Sequence, residues 1–258
     1  MPKFNQYTIK SIEAALAGGK ILLKYFEKYL DISYKAKYDP VTIADKASQK
    51  AIISIIKKSF PKHSFMAEED RNLSCNPDNC WVIDPLDGTV NFIHDIPMFC
   101  ISIAYKQGKM TLSGVIYCPV QKEIFVAEKG KGAFLNGKRI KVSSVKEMAK
   151  SLVVTGFPYD RARLKRVVRN LSGILGQTQG VRRLGSAAMD LAYVASGRLE
   201  AFWEEGLYPW DMAAGALIVK EAGGKVTDYA GGKDFEEKRH LIASNGLIHK
   251  KMLQFIKA

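Results

Sequence analysis

The stretch that most constrains this chain is Trp81-Val82-Ile83-Asp84-Pro85-Leu86-Asp87-Gly88-Thr89-Val90-Asn91-Phe92. Its apolar run, Trp81 to Ile83, predicts a buried strand. Two carboxylates three residues apart follow, a proline stiffens the chain between them, and Gly88-Thr89 closes the stretch where a helix can begin. A buried strand that runs into acids and a glycine turn presents those acids at its C-terminal edge. The rest of the chain is expected to supply this turn with further acids, a pocket and a scaffold.

Upstream, Ile9, Ile12, Leu16, Leu23, Phe26 and Leu30 recur at helical steps, predicting an amphipathic helix over 9–30 despite Gly18-Gly19 inside it. Residues 31–40 are polar and read as a loop. Thr42-Ile43-Ala44-Asp45 opens a second helix that stops at Pro61, with Asp45 placed to favour the positive end of its dipole. His63 to Ala67 reads as a short strand running into Glu68-Glu69-Asp70. Three acids in a row after a strand usually form a solvated turn.

From 99 to 128 three apolar runs separated by short turns predict an antiparallel meander. Asn136-Gly137 then signals a tight hairpin. Beyond it the pattern returns to mixed α/β. Strands are expected at 152–155, 200–203, 225–227 and 241–243, and helices at 161–174, 185–194, 210–221 and 247–256. No repeat, low-complexity tract or flexible linker divides the chain. Any two subdomains, approximately 1–145 and 146–258, must be tightly joined.

Composition excludes little but shapes the alternatives. The formal net charge is +13, which raises the question of nucleic acid. The lysines are scattered, however, and no basic run interleaves with aromatics, so a solvated basic surface or attraction of an anionic small substrate is the expected meaning. No apolar run reaches the roughly 20 residues that span a bilayer. The start, Met1 to Gln6, lacks the apolar core of a signal peptide. A cytoplasmic protein with no membrane partner is expected. The cysteines at 75, 80, 100 and 118 share no metal-ligand spacing and read as free thiols.

Chemistry centres on Asp84 and Asp87. Carboxylates held close repel one another and are costly to gather without a cation. Mg²⁺ fits, because it takes oxygen ligands from one or two carboxylates and a substrate phosphate. The Leu86 carbonyl offers a further ligand, and Gly88 and Thr89 offer amides to a phosphate at a helix start. The bland alternative is an acid-bearing loop with an Asp cap. Spacing argues against an aspartyl-phosphate mechanism of the D-x-D-x-T kind, since the acids here stand three apart. There is no P-loop, G-x-S-x-G elbow or histidine metal motif; His63, His94, His240 and His249 read as surface or structural residues. A metal-activated water is the natural nucleophile.

Asp84-Pro85-Leu86-Asp87-Gly88-Thr89-Val90-Asn91-Phe92 resembles the D-P-[IL]-D-G-T-x-N-F signature of inositol monophosphatases, in the lithium-sensitive, Mg²⁺-dependent phosphatase superfamily. Trp210-Asp211-Met212-Ala213-Ala214-Gly215 resembles the second signature, W-D-x-A-[AG]-G. The segment Gly185 to Gly197, the hairpin at 132–142 and Lys220-Glu221-Ala222-Gly223-Gly224 also match, so the similarity runs over nearly the whole chain.

The resemblance implies an α/β (α+β) fold, a layered α-β-α-β-α sandwich forming a homodimer, and two or three Mg²⁺ ions. It implies metal ligation by Glu68, Asp84, the Leu86 carbonyl, Asp87 and Asp211. Glu68 would also orient the attacking water, and Thr89, hydrogen-bonded to Asp45, would help activate it. Gly88 and Thr89 amides would hold the phosphate, next to Asp87 and Asp211. Glu204 and the Gly185-Ser186-Ala187 backbone would face inositol hydroxyls. No residue is assigned to an organic cofactor.

Two departures stand out: Ala67 precedes Glu68 where the family has glycine, and the Tyr34–Tyr38 loop lies where the family has a mobile metal-associated segment without matching it residue by residue. The expected reaction is hydrolysis of a phosphate monoester, inositol 1-phosphate first. Fructose-1,6-bisphosphatase activity is the alternative, with Arg182-Arg183 as candidates for a second phosphate. Adenosine 3′,5′-bisphosphate and histidinol phosphate are disfavoured by Val90, where their enzymes usually carry Lys. A binding or regulatory protein using its basic surface on RNA or a protein partner is the reading from a different class.

Overall fold

A computed structural model describes residues 3–28, 31–70, 73, 75–158 and 160–256. The chain begins with α1 (Gln6–Tyr25), capped by Asn5, whose side chain accepts from Thr8 N. Leu30, to which the helical spacing extended, lies outside the described residues. The expected loop at 31–40 is instead an antiparallel hairpin of β1 (Ser33–Ala36) and β2 (Asp39–Val41). The polarity of this stretch serves ion pairing, because Lys35 is anchored on acids of a neighbouring segment instead of facing solvent.

α2 (Ile43–Ser59) starts at a reciprocal capping box between Thr42 and Asp45. β3 (Ser64–Ala67) and β4 (Cys80–Asp87) pair in parallel, and the short α3 (Thr89–Ile93) follows β4. The meander is β5 (Cys100–Gln107), β6 (Met110–Cys118), β7 (Glu123–Glu128), β8 (Gly132–Leu135) and β9 (Lys138–Arg139). It extends β3 and β4 into a sheet whose spatial order from β3 to β9 follows the sequence.

The second half contains β10 (Leu152–Thr155), α4 (Leu164–Leu175), β11 (Gly180–Arg182), α5 (Ala187–Ala195) and β12 (Ala201–Glu205). α6 (Pro209–Glu221), β13 (Lys225–Thr227), α7 (Phe235–Lys238), β14 (His240–Ser244) and α8 (His249–Phe255) complete it. Its sheet has the order β11-β10-β12-β14-β13, with β10 parallel to both neighbours. β11 and α7 are too short to leave a periodic signal and were not foreseen.

Three cores bind these elements into five layers. α1 and α2 cover one face of the large sheet, where Trp81 and Ile83 of β4 are buried with Leu22, Ile52 and Ile56. α5 and α6 fill the space between the sheets, packing Val82 and Phe125 on one side and Phe202 and Ala243 on the other. α4 and α8 cover the outer face of the small sheet around Trp203 and Met252. β4 therefore alternates between two cores and reads as a continuous apolar run. Among the described residues no helix is long and apolar enough to cross a membrane.

Cys75 and Cys80 are corrected from free thiols to a disulfide pair. The turn before β4 brings their Cα atoms to 5.2 Å, within disulfide reach. Cys100 and Cys118 are free and buried.

Candidate active site

The site begins with a change of register. Asp84 stands opposite Ser102 and Asp87 opposite Cys100, so three steps along β4 match two along β5. In a regular strand, side chains three apart face opposite sides. The extra residue of this bulge turns Asp87 back to the side of Asp84, and both line one cleft of about 110 Å³. Pro85 has no N–H to leave unpaired there, and its carbonyl accepts from Ser48 Oγ at 2.9 Å. Leu86 N donates to Asp84 Oδ1 at 3.0 Å.

Gly88 makes the next turn with φ 96°. A side chain is excluded there twice over, by the left-handed backbone and by Met98 O, which a Cβ would approach to 2.8 Å. Thr89 is thereby placed with Oγ1 3.2 Å from Asp45 Oδ1 and 3.1 Å from Leu86 O. Its single proton serves one of these acceptors at a time. Asp45 Oδ2 accepts from Thr42 N at 2.8 Å and Thr42 Oγ1 at 2.7 Å. Burial pushes Asp45 up to about 6, against the lowering effect of the Thr42 bonds. The capping role and contact with Thr89 coexist in one side chain.

The remaining acids arrive from separate elements. Glu68 follows β3, its N–H donating to Ile83 O at 3.2 Å across the parallel pair. Its carboxyl is in hydrogen-bond contact with that of Asp84. The solvated turn expected at Glu68-Glu69-Asp70 is corrected here: the side chains of Glu68 and Glu69 are only 18% and 3% exposed, because Lys35 Nζ reaches them at 2.6 and 2.8 Å. Asp211 sits in the first turn of α6, where Oδ2 accepts from Tyr208 N at 2.7 Å. Asp87 Oδ2 accepts from Ser186 Oγ at 2.7 Å and from Ala188 N at 2.6 Å, tying β4 to the start of α5. Burial pushes Glu68, Asp84, Asp87 and Asp211 all above the usual carboxylate range. The charges of Glu68, Asp87 and Asp211 add to the rise at Asp84.

The opposite wall is built from Gly185, Ser186, Ala187 and Glu204. Burial pushes Glu204 up to about 8, with the Arg183 charge pulling the other way and Asp87 adding to it. Room for Glu204 comes from Gly156, where a Cβ would fall 1.9 Å from Glu204 Oε2. Arg183 lines the cleft, whereas Arg182 does not. Besides Arg182, only Asp45 among the residues singled out for the site does not line this cleft, and it meets the cleft through Thr89. Sequence reasoning missed Lys35, Gly156, Asp190 and Glu205, none of which belongs to a signature; Asp190 lies inside the matched segment Gly185 to Gly197, but a lone acid among apolar helical residues carries no signal of its own.

The donor set suits a hard cation. It consists of carboxylates and one peptide carbonyl, with no soft ligand facing them except the Cys100 thiol, 3.8 Å from Asp87. Among the described residues no group of three or more His, Cys, Asp or Glu side chains is arranged to hold a metal ion by itself. Mg²⁺ does not require such a group, since it keeps waters and takes only one or two carboxylates beside a phosphate. Like charges gathered out of water, two of them in contact, are the arrangement a divalent cation relieves.

The sequence profile of the Inositol monophosphatase family matches residues 5–257. The Nus factor SuhB of Pseudomonas aeruginosa is 42% identical over 254 residues, covering 95% of this chain and 94% of that protein. The inositol-1-monophosphatase of Mesorhizobium japonicum is 38% identical over 250 residues, covering 95% and 94%. Among solved structures, the Thermotoga maritima IMPase superposes with a TM-score of 0.91 at 36% identity, covering 98% of this chain and 97% of its own. With the bulged acid strand, the glycine turn and the α6 acid all inside a match that spans nearly every residue, this chain belongs to the inositol monophosphatase family.

Proposed function

We propose that this protein is a Mg²⁺-dependent phosphomonoesterase that releases phosphate from a phosphorylated polyol, inositol 1-phosphate foremost. The observation that carries the reading is the convergence of Glu68, Asp84, Asp87 and Asp211 on one cleft whose other wall bears Glu204. These four acids and the Leu86 carbonyl would hold two or three Mg²⁺ ions, which would supply charge neutralisation, a more acidic water and a stabilised leaving oxygen. Gly88 and Thr89 amides hold the phosphate, beside Asp87 and Asp211. Glu68 orients the attacking water. Thr89 Oγ1 takes a proton from that water as it hands its own to Asp45, whose value of about 6 suits a base working at neutral pH. Glu204 accepts a substrate hydroxyl, and Gly185, Ser186 and Ala187 shape the wall beside it.

The test is a phosphate-release screen over inositol phosphates, fructose 1,6-bisphosphate, adenosine 3′,5′-bisphosphate and histidinol phosphate, with Mg²⁺ and with added Li⁺. Lithium-inhibited release from inositol 1-phosphate is expected. No release from any of them would sink the proposal. Fructose 1,6-bisphosphate is the alternative substrate, favoured by Arg183 at the cleft as a partner for a second phosphate. A cytoplasmic homodimer built as one tightly joined unit completes the proposal, and sedimentation checks the dimer.

A second reading is favoured by the Nus factor name of one relative and by the net charge of +13. It holds that the basic surface binds RNA or a protein partner alongside catalysis. Steeply salt-dependent RNA binding would support it, and no binding at low salt would remove it.

A further inference from the structure

Asp190 lies on α5, one turn beyond the Ser186 cap, and is 1% exposed. It lines the same cleft as Glu204 and Arg183. Three other acids there accept hydrogen bonds from the chain: Asp84 from Leu86 N, Asp87 from Ser186 and Ala188, and Asp211 from Tyr208 N. Asp190 is different, since its buried Oδ1 has no hydrogen-bond partner among the described residues. Glu205 also lacks hydrogen-bond partners, but it has the Arg166 guanidinium at 2.6 Å. Burial, then the charges of Glu204 and Asp87, hold Asp190 well above the usual carboxylate range, with Arg183 acting the other way.

A buried carboxyl oxygen left without a partner calls for an explanation, because native chains pair such atoms almost without exception. Nothing in the fold requires an acid at this point of α5. The neighbouring helical residues Met189, Leu191 and Ala192 are fully buried apolar side chains, and an apolar residue would pack among them. Its position on the cleft, beside a second carboxyl, explains what a structural role does not. Two carboxyl groups on one wall match a ligand that carries adjacent hydroxyls, each able to donate one hydrogen bond.

We propose that Asp190 is a specificity-determining residue that, together with Glu204, accepts hydrogen bonds from neighbouring hydroxyls of a polyol phosphate. This rests on the phosphatase reading above. Asp190 completes its hydrogen bonding only when the alcohol moiety is bound, so it contributes to choice of alcohol and not to handling of the phosphate.

The experiment compares wild type, Asp190→Ala and Asp190→Asn on inositol 1-phosphate and on p-nitrophenyl phosphate, which has no hydroxyls to offer, in saturating Mg²⁺. Asp190→Ala is expected to lower the preference for inositol 1-phosphate about 10- to 100-fold, mainly through KM. Asp190→Asn keeps an acceptor oxygen and recovers part of that loss. The melting temperature of the metal-free Asp190→Ala protein is expected to equal or exceed that of wild type, because an unpartnered buried carboxyl has been removed. An equal loss on both substrates, an unchanged preference, or a lowered melting temperature would each overturn the assignment. A wild-type protein that hydrolyses neither substrate overturns the inositol-phosphate reading and this inference with it; one that hydrolyses both, with the Ala variant indistinguishable from it, overturns only the role of Asp190.

Discussion

Lys35 holds its ammonium 2.6 Å from Glu68 Oε1, so a side-chain cation from β1 lies against the acid that ends β3. Glu69 Oε1 at 2.8 Å and Asp39 Oδ1 at 3.5 Å share the same charge. Burial opposes the charge on Lys35, but Glu68 and Glu69 outweigh it and hold its pKa above the ordinary lysine range. The β1–β2 hairpin therefore delivers a fixed positive charge to the edge of a cleft proposed to take Mg²⁺. Replacing Lys35 with Met should lower the Mg²⁺ concentration at half-maximal thermal stabilisation about 3- to 10-fold, because one competing cation is gone. Melting curves across a Mg²⁺ titration check this, and an unchanged midpoint would show that Lys35 does not compete.

The pH dependence of the metal-free protein should run opposite to that of a chain with salt-bridged acids. Burial raises Asp45 to about 6 and Glu204 to about 8, and it raises Glu68, Asp84, Asp87 and Asp211 as well. In the unfolded chain such groups titrate near 4. Their contribution to stability is therefore fully present below about pH 4 and lost as pH rises through the folded values. His249 acts in the other direction. Buried between Thr227 and Ser244, it is held down to about 4 and costs stability as pH falls below its unfolded value of about 6.5. The melting temperature in chelator should thus rise from pH 8.5 to pH 6.5 and flatten below. Glu204→Gln should remove the upper part of that slope; a slope unchanged by that replacement would mean Glu204 does not titrate there.

The layers and most elements were legible because β4, the meander and α6 carry strong patterns of apolar residues. The acids at Asp84, Asp87 and Asp211 were legible for a different reason, their places in long signatures, and Glu68 only through the family resemblance. What the sequence hid is of one kind. Lys35 sits in a polar stretch that reads as loop, and only its reach to Glu68 reveals it. Gly156 carries no local signal, because its role is the space it leaves for a side chain 48 residues away on β12. The Asp84-to-Asp87 spacing was visible, but the bulge that turns both to one side exists only in the pairing with β5.

Gly156 offers a direct test of that spatial argument. A Cβ there would stand 1.9 Å from Glu204 Oε2 and 2.2 Å from its carboxyl carbon, so the carboxyl must move. The end of a Glu side chain yields at modest cost, and Gly156→Ala should change stability by no more than about 1 kcal/mol. Displacing the acceptor should nevertheless raise KM for inositol 1-phosphate about tenfold, close to the loss of one hydrogen bond. Steady-state kinetics beside a urea melt separates the two effects. Large destabilisation with unchanged KM would show that Gly156 serves packing alone.

Asp84 and Asp87 separate function from stability most sharply. Asn at either position keeps the shape and removes one of several mutually repelling charges, and Asp87→Asn keeps an oxygen facing Ser186 and Ala188. Turnover should fall by at least about a thousandfold in either variant, as removal of a central transition-state stabiliser does. The metal-free melting temperature should stay level or rise, since Asp84 is raised by burial and by Glu68, Asp87 and Asp211 together. Phosphate release and melts in chelator check both halves, and near-normal turnover at saturating Mg²⁺ would end the metal assignment.

Arg166 and Glu205 pose the question of whether a half-exposed ion pair can matter. Arg166 Nη2 lies 2.6 Å from Glu205 Oε2; the arginine side chain is 35% exposed and the glutamate 2%. Exposed pairs contribute about 0–1 kcal/mol. Buried ones cost several kcal/mol when one partner is removed, because the other charge is stranded. Glu205 decides between these regimes, since its oxygens have no hydrogen-bond donor to fall back on. Arg166→Met should therefore destabilise by about 3 kcal/mol. Adding Glu205→Met should return most of that loss, because the stranded carboxylate is then gone and β12 gains an apolar side chain facing α4. Urea denaturation of the two single variants and the double variant closes the cycle. A cost below about 0.5 kcal/mol for Arg166→Met would place the pair with ordinary surface bridges, and Glu205 would then have to draw its stabilisation from solvent in the cleft.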